Sequence, residues 1–92
     1  MTLTETFAAL SDQNRQKILD TLKKGELSVS DILKHMDITM ATLSHHLEVL
    51  RRCDLVSSRR LGQQILYSLN LSVIEELEKE IIKFFKIKSS KK

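Results

Sequence analysis

Ninety-two residues with 41% hydrophobic and 29% charged side chains predict one globular domain and exclude a disordered chain. The formal net charge of +3 indicates an anionic partner, and the lack of any run of about 18 uncharged apolar residues excludes membrane insertion. The single cysteine excludes an internal disulfide, and the N-terminal residues do not resemble a secretion signal, so we expect a cytoplasmic protein.

Three short helices are predicted within the first 35 residues of the chain. Apolar residues at helical spacing between positions 3 and 10 indicate a short amphipathic first helix. Ser11 is the candidate N-cap of a second helix over residues 12–24, which Gly25 ends. A capping-box pattern predicts a third helix over residues 28–35.

A fourth helix is predicted from Met40 to Arg52, with Thr39 as its N-cap. Its leucines recur at helical spacing and must face the core. The opposite side is small and polar at the start and basic at the end. This pattern suits a DNA major groove, because bulky side chains would hold the helix away from the base edges. The predicted DNA contacts on this helix are Thr39, Met40, Ala41, Thr42, Ser44, His45, Glu48 and Arg52.

A β-hairpin is predicted after the fourth helix. From Val56 the apolar residues alternate, and Gly62 lies where a tight reversal is needed. Arg59 and Arg60 lie near this turn, and arginine suits phosphate recognition well. We therefore expect Arg59, Arg60 and Gln63 to contact DNA as well.

A fifth helix closes the predicted domain, which spans residues 1–86. Asn70 or Ser72 is its candidate N-cap, and residues 87–92 form a basic C-terminal tail. The apolar stripe of this helix is wider than one small domain can bury, so we predict a homodimer formed by the first and last helices. The predicted interface residues are Leu3, Phe7, Ile74, Leu77, Ile81 and Phe85.

The order of these elements is that of a winged helix-turn-helix domain, mainly α with a small β-hairpin. The stretch "ATLSHHLEVLRRCDLV" at residues 41–56 resembles the ArsR/SmtB family of small bacterial repressors, and the resemblance extends over residues 5–86. Further residues that carry it are Ser11, Asp12, Arg15, Gly62 and Tyr67. Two positions depart from the family pattern, since Gln13 stands where proline is usual and Gln63 where arginine is frequent.

The resemblance implies a homodimer that places two recognition helices in successive major grooves of a palindromic operator in double-stranded DNA. It also implies a repressor that a metal, an oxidant or another signal releases from its operator. Within the family, the chain is most similar to the compact autorepressors.

Sensor sites of the metal-binding relatives are not reproduced in this sequence. One such site uses a C-x-C pair, and Ser28 and Ser30 stand at its positions. Another needs histidine on the last helix, which has none. Cys53 is expected to pack as a small hydrophobe. His45 and His46 point about 100° apart on a helix, the first outward and the second inward. We therefore predict no metal site and no cofactor.

Two alternatives to the repressor stay open at this stage. One keeps the fold and makes the protein a redox or metal sensor, through oxidation of Cys53 or a metal site between subunits. The other is a winged helix that binds proteins, which the polar, arginine-flanked face of the fourth helix disfavours. The sequence has no glycine-rich phosphate loop, no catalytic triad pattern and no recognisable carboxylate pair, so no enzymatic activity is predicted.

Overall fold

A computed structural model describes residues 2–85, which form five α-helices and one small sheet. A 3₁₀ turn, Leu22–Lys24, follows the second helix. The elements in chain order are α1 (Leu3–Leu10), α2 (Gln13–Thr21), β1 (Leu27–Ser28), α3 (Val29–Leu33), α4 (Met40–Arg52), β2 (Val56–Leu61), β3 (Gln64–Leu69) and α5 (Leu71–Phe85). Apart from β1, this is the winged helix-turn-helix order that the sequence predicts. The predicted tail over residues 87–92 lies outside the described residues.

Four helices begin at a polar side chain that accepts a backbone hydrogen bond. These N-caps are Thr2, Asp12, Ser28 and Thr39, and each accepts from the N–H three residues ahead. The prediction of Ser11 as the cap of α2 is wrong. Its hydroxyl instead donates to a carbonyl at the end of α1 at 2.7 Å, which leaves the carboxylate of Asp12 to cap α2.

Two helices are shorter than predicted. Helix α2 ends at Thr21, and its last predicted turn tightens into the 3₁₀ turn, after which Gly25 leaves the helix at φ 140°. Helix α3 ends at Leu33 instead of His35, because the following residues close a tighter turn in which the N–H of His35 donates to the carbonyl of Ile32 at 3.0 Å.

The sheet has three antiparallel strands in the order β1-β3-β2. The hairpin of β2 and β3 turns at Gly62, whose φ of 64° is the left-handed conformation that glycine adopts without strain. Strand β1 was not predicted, because two residues are too short to show alternation. It pairs Leu27 with Tyr67 and so ties the base of the hairpin to the start of α3.

The core lies between the first four helices and the base of the hairpin. Helix α4 ends at Arg52, and Asp54, two residues further on, has a φ of 59°, in the left-handed region where helices commonly terminate. Helix α5 has no fully buried residue. No helix within residues 2–85 is both long and apolar enough to cross a membrane. The core residues are Ala9, Ile18, Leu22, Ile32, Leu43, Leu47, Leu50, Cys53, Leu55 and Val56.

Candidate nucleic-acid interface

Helix α4 has one buried and one exposed face. Leu43, Leu47 and Leu50 are at most 1% exposed, and burial of each stabilises the fold by roughly 1.5–3 kcal/mol. The hydroxyl of Thr39 accepts from the N–H of Thr42 at 3.2 Å and fixes the first turn. Of the predicted contacts on this helix, Glu48 is half-buried and the others are exposed: Thr39, Met40, Ala41, Thr42, Ser44, His45 and Arg52.

The C-terminal end of α4 is a charge cluster. Arg51 donates to both carboxylate oxygens of Glu48, at 3.0 and 2.7 Å, and the Nε of Arg52 lies 3.9 Å from the same carboxylate. The hydrogen bonds from Arg51 lower the pKa of Glu48. The two arginines leave this end of the helix with one net positive charge. Arg51 was absent from the predicted site, although its i,i+3 spacing from Glu48 is a recognisable sequence signal.

The hairpin separates its two arginines onto opposite faces. The register of β2 against β3 pairs Arg60 with Ile65 and Arg59 with Leu66. Neighbouring residues of a strand point to opposite sides of the sheet. Arg60 therefore shares the face of Tyr67, which packs against the core. Arg59 donates from Nε and Nη2 to the carboxylate of Glu26, at 2.7 and 2.8 Å.

This pairing explains the charge state of the wing. Glu26 raises the pKa of Arg59, and the hydrogen bonds from Arg59 lower the pKa of Glu26, so both groups stay charged and neutralise each other. Among the described residues, Arg60 has no carboxylate within 4.0 Å. Glu26 and Arg59 are 33 positions apart, and no sequence pattern links them.

The tip of the hairpin lies next to the start of α4. An open groove is lined by both elements together with the start of α3, so Met40 and Gln63 lie on one side of the molecule. Arg52 lies at the other end of α4, about 18 Å from Met40 at 1.5 Å per residue. The remaining residues that line the groove are Ser28, Val29, Ser30, Gln64 and Ile65.

The positions of the missing thiol pair hold hydroxyls that bond one another. The Oγ atoms of Ser28 and Ser30 are 3.3 Å apart, and the former also accepts from the N–H of Asp31. Across residues 2–85 there is no group of three or more His, Cys, Asp and Glu side chains arranged to hold a metal. Cys53 is buried, and burial raises the pKa of its thiol, which disfavours the reactive thiolate.

The two adjacent histidines differ in environment. His45 is exposed, whereas His46 is 7% exposed and faces the core, as predicted. Arg15 Nη1 lies 3.1 Å from Nδ1 of His46, and Arg15 Nε donates to the carbonyl of Ala9 at 2.7 Å. Burial is the main cause that lowers the pKa of His46. The predicted DNA-reading helix is thus bonded to α2 and, through Arg15, to the end of α1.

Helices α1 and α5 flank a common cleft whose floor includes Cys53. Leu3 and Leu77 line this cleft, whereas Phe7 and Phe85 are 39% and 61% exposed. Ile74 and Leu77 pack against the core, and Ile81 is half-buried. Phe84, which the prediction omitted, is 65% exposed and meets Phe85 edge-on at 5.2 Å. The predicted interface residues thus lie on one pair of adjacent helices.

The sequence of the chain is similar to those of known bacterial regulatory proteins. A family model described as bacterial regulatory protein, arsR family, matches residues 12–58. The chain is 42% identical over 74 residues to the transcriptional repressor SdpR of Bacillus subtilis (strain 168), covering 80% of this chain and 82% of that protein. It is 37% identical over 75 residues to the arsenical resistance operon repressor of Staphylococcus aureus, covering 82% and 72%.

The fold agrees with a solved member of the same group. An ArsR-like transcriptional regulator from Rhodococcus sp. RHA1 superposes with a TM-score of 0.83 at 27% identity, covering 91% of this chain and 79% of that one. The family match spans the elements from α2 into β2, which include the whole of α4. The chain belongs to the ArsR family of bacterial regulatory proteins.

Proposed function

We propose that the chain is a sequence-specific, DNA-binding transcriptional repressor that acts in the cytoplasm as a homodimer on a palindromic operator. Its family consists of regulatory proteins, and relatives at 42% and 37% identity are named repressors. Nothing in this function requires catalysis or a cofactor.

The exposed face of α4 carries this proposal. Its first two turns present small polar groups, Thr42, Ser44 and His45, while the opposite leucines hold the helix on the core. A major groove admits such a helix, and short hydroxyl and imidazole groups reach base edges without lifting the backbone. The proposed contacts of α4 and its cap are Thr39, Met40, Ala41, Thr42, Ser44, His45, Glu48 and Arg52.

The hairpin supplies backbone contacts in this proposal. Arg60 is the stronger candidate for a phosphate contact, since its charge is not matched by a carboxylate of the described chain. Gln63 lies beside the start of α4 and is suited to hydrogen-bond the same stretch of DNA. Arg59 contributes only where phosphate competes with Glu26 for its guanidinium.

Helices α1 and α5 form the dimer interface that we propose. Large apolar side chains on both helices stay exposed in one protomer, and a second copy of the chain would cover them. Two-fold symmetry would then present two copies of α4 about one turn of DNA apart. The proposed interface residues are Leu3, Phe7, Ile74, Leu77, Ile81 and Phe85.

The alternative of a redox sensor has weaker support. Burial and the raised pKa of Cys53 disfavour its oxidation, and the hydroxyls of Ser28 and Ser30 are poor ligands for soft metals. A protein-binding module would be expected to present aromatic anchors on α4, and the exposed face of that helix has none.

Selection of bound duplexes from a random DNA pool tests this proposal. We expect enrichment of a palindrome whose half-sites are separated by about one helical turn. The variant His35→Ala, which alters an exposed histidine outside the proposed contacts, should select the same palindrome. A pool that shows no enriched sequence would refute sequence-specific binding, and enrichment of a single asymmetric half-site would refute the dimer.

A further inference from the structure

His46 lies between Arg15 of α2 and Asp12, the N-cap residue of that helix. Arg15 Nη1 is 3.1 Å from its Nδ1, and Asp12 Oδ1 is 4.0 Å from its Nε2. The same guanidinium donates from Nε to Ala9 at 2.7 Å and from Nη2 to Ala8 at 3.4 Å, both backbone carbonyls at the end of α1. Arg15 therefore links α2, on which it lies, to both α1 and α4 through the contacts of its guanidinium.

The chemistry of this contact fixes the proton on the ring. A guanidinium only donates hydrogen bonds, so Nδ1 of His46 must accept and carries no proton. The neutral ring then has its proton on Nε2, on the side of Asp12. Protonation of the ring would place an N–H on Nδ1, facing the N–H of Arg15, and the hydrogen bond would be lost.

We propose that Arg15 is a positioning residue for the DNA-reading helix, and that protonation of His46 breaks this contact and weakens DNA binding as the pH falls. The inference rests on the proposed DNA-binding function. In this proposal, pH regulates α4 through its buried face, while its exposed face contacts DNA.

The surroundings of His46 decide the sign of this effect. Burial lowers the pKa of the ring, and the cation of Arg15 and the neighbouring His45 act in the same direction. The carboxylate of Asp12 opposes them, but it also accepts the backbone N–H of Arg15 at 3.1 Å. The pKa of the folded ring is therefore below its ordinary value of about 6.5.

Linkage then gives the pH range. The unfolded chain binds this proton more readily than the folded one, so the contribution of neutral His46 to stability is complete above about pH 6.5. It decreases as the pH falls through the ordinary value toward the lower pKa of the folded ring. The carboxylates of Asp12 and Glu48 titrate in a more acidic range, because hydrogen bonds from the backbone N–H of Arg15 and from the guanidinium of Arg51 lower their pKa values from ordinary values near 4.

Nuclear magnetic resonance of the free protein tests the contact without DNA. At pH 7.5 we expect the ring nitrogen shifts of His46 to show an unprotonated Nδ1 and a protonated Nε2. In the variant Arg15→Met we expect the pKa of His46 to rise, because both the cation and the hydrogen bond that favour the neutral ring are removed. A protonated Nδ1 in the wild-type protein, or an unchanged pKa in the variant, would overturn the proposal.

Titration of DNA affinity against pH tests the consequence. The variant His46→Asn keeps an acceptor near the position of Nδ1 and cannot be protonated, and His35→Asn is the matched control at an exposed histidine. Below the pKa measured for His46, we expect the Kd of the wild-type protein to increase relative to that of His46→Asn by up to about tenfold per pH unit for each of the two His46 rings of a dimer. The control should follow the wild-type protein.

The outcomes separate this inference from the function on which it rests. If the wild-type protein binds DNA specifically at pH 7.5, but its Kd depends on pH in the same way as that of His46→Asn, the role of His46 is overturned and the proposed function is not. Failure of the wild-type protein to prefer any DNA sequence at pH 7.5 would overturn the proposed function and, with it, this consequence.

Discussion

The salt dependence of DNA binding measures how many wing cations contact phosphates. Each contact contributes about 0.9 to the slope of log affinity against log salt. Arg60 is the unmatched wing arginine, so Arg60→Ala should reduce the slope by about 1.8 for the two wings of a dimer. Between 50 and 200 mM salt, this means that the variant loses roughly tenfold less affinity than the wild-type protein. Arg59→Ala should change the slope less, because Glu26 already holds that guanidinium through two hydrogen bonds.

Glu26→Gln provides the reverse test. The amide no longer balances the charge of Arg59, and the slope should increase by up to about 1.8 per dimer. Fluorescence anisotropy with a fixed labelled duplex gives these slopes, and Lys83→Ala, which removes a cation paired with Glu80 on α5, is the control that should leave them unchanged. Equal slope losses in Arg59→Ala and Arg60→Ala would refute the reasoning, as would an unchanged slope in Glu26→Gln.

Three further predictions concern the cap, the thiol and the dimer. Thr39→Ala should lower the free energy of unfolding by about 1 kcal/mol, since it removes the N-cap of α4, and denaturant titration would show no change if the cap were irrelevant. Cys53→Ala should alter stability by about 1 kcal/mol or less, and peroxide should affect operator affinity equally in the variant and the wild-type protein. Combined Phe7→Ala and Phe85→Ala should shift sedimentation toward the monomer at micromolar concentration, and an unchanged dimer would place the interface elsewhere.

Periodicity was sufficient to predict most of the fold. The leucines of α4 and the alternation after Val56 are local patterns, and both elements were placed correctly. The predicted start of α2 was wrong because two adjacent side chains, Ser11 and Asp12, are both able to cap a helix. Only the folded chain shows that Asp12 does so. Strand β1 failed for a different reason, since two residues pair only after the hairpin has formed beside them.

The sequence could predict which residues face outward at the candidate site, but not which distant residues contact one another there. The outward side of α4 follows from helical geometry alone, and so does the inward turn of His46. The contact of Arg15 with His46 spans 31 positions, and the pairing of Arg59 with Glu26 spans 33. Such contacts depend on how separate elements pack, so the sequence could not show that one wing arginine is held by a carboxylate.

The most direct test of the central claim is the discrimination between the selected operator and a shuffled duplex of equal length. Ser44 and His45 are both exposed on α4, so the double variant Ser44→Ala, His45→Ala should fold normally. We expect it to lose about 1–3 kcal/mol of discrimination for each good base contact removed, while its affinity for the shuffled duplex stays near that of the wild-type protein. If both duplexes lose affinity equally, or if discrimination is unchanged, the exposed face of α4 does not read the bases.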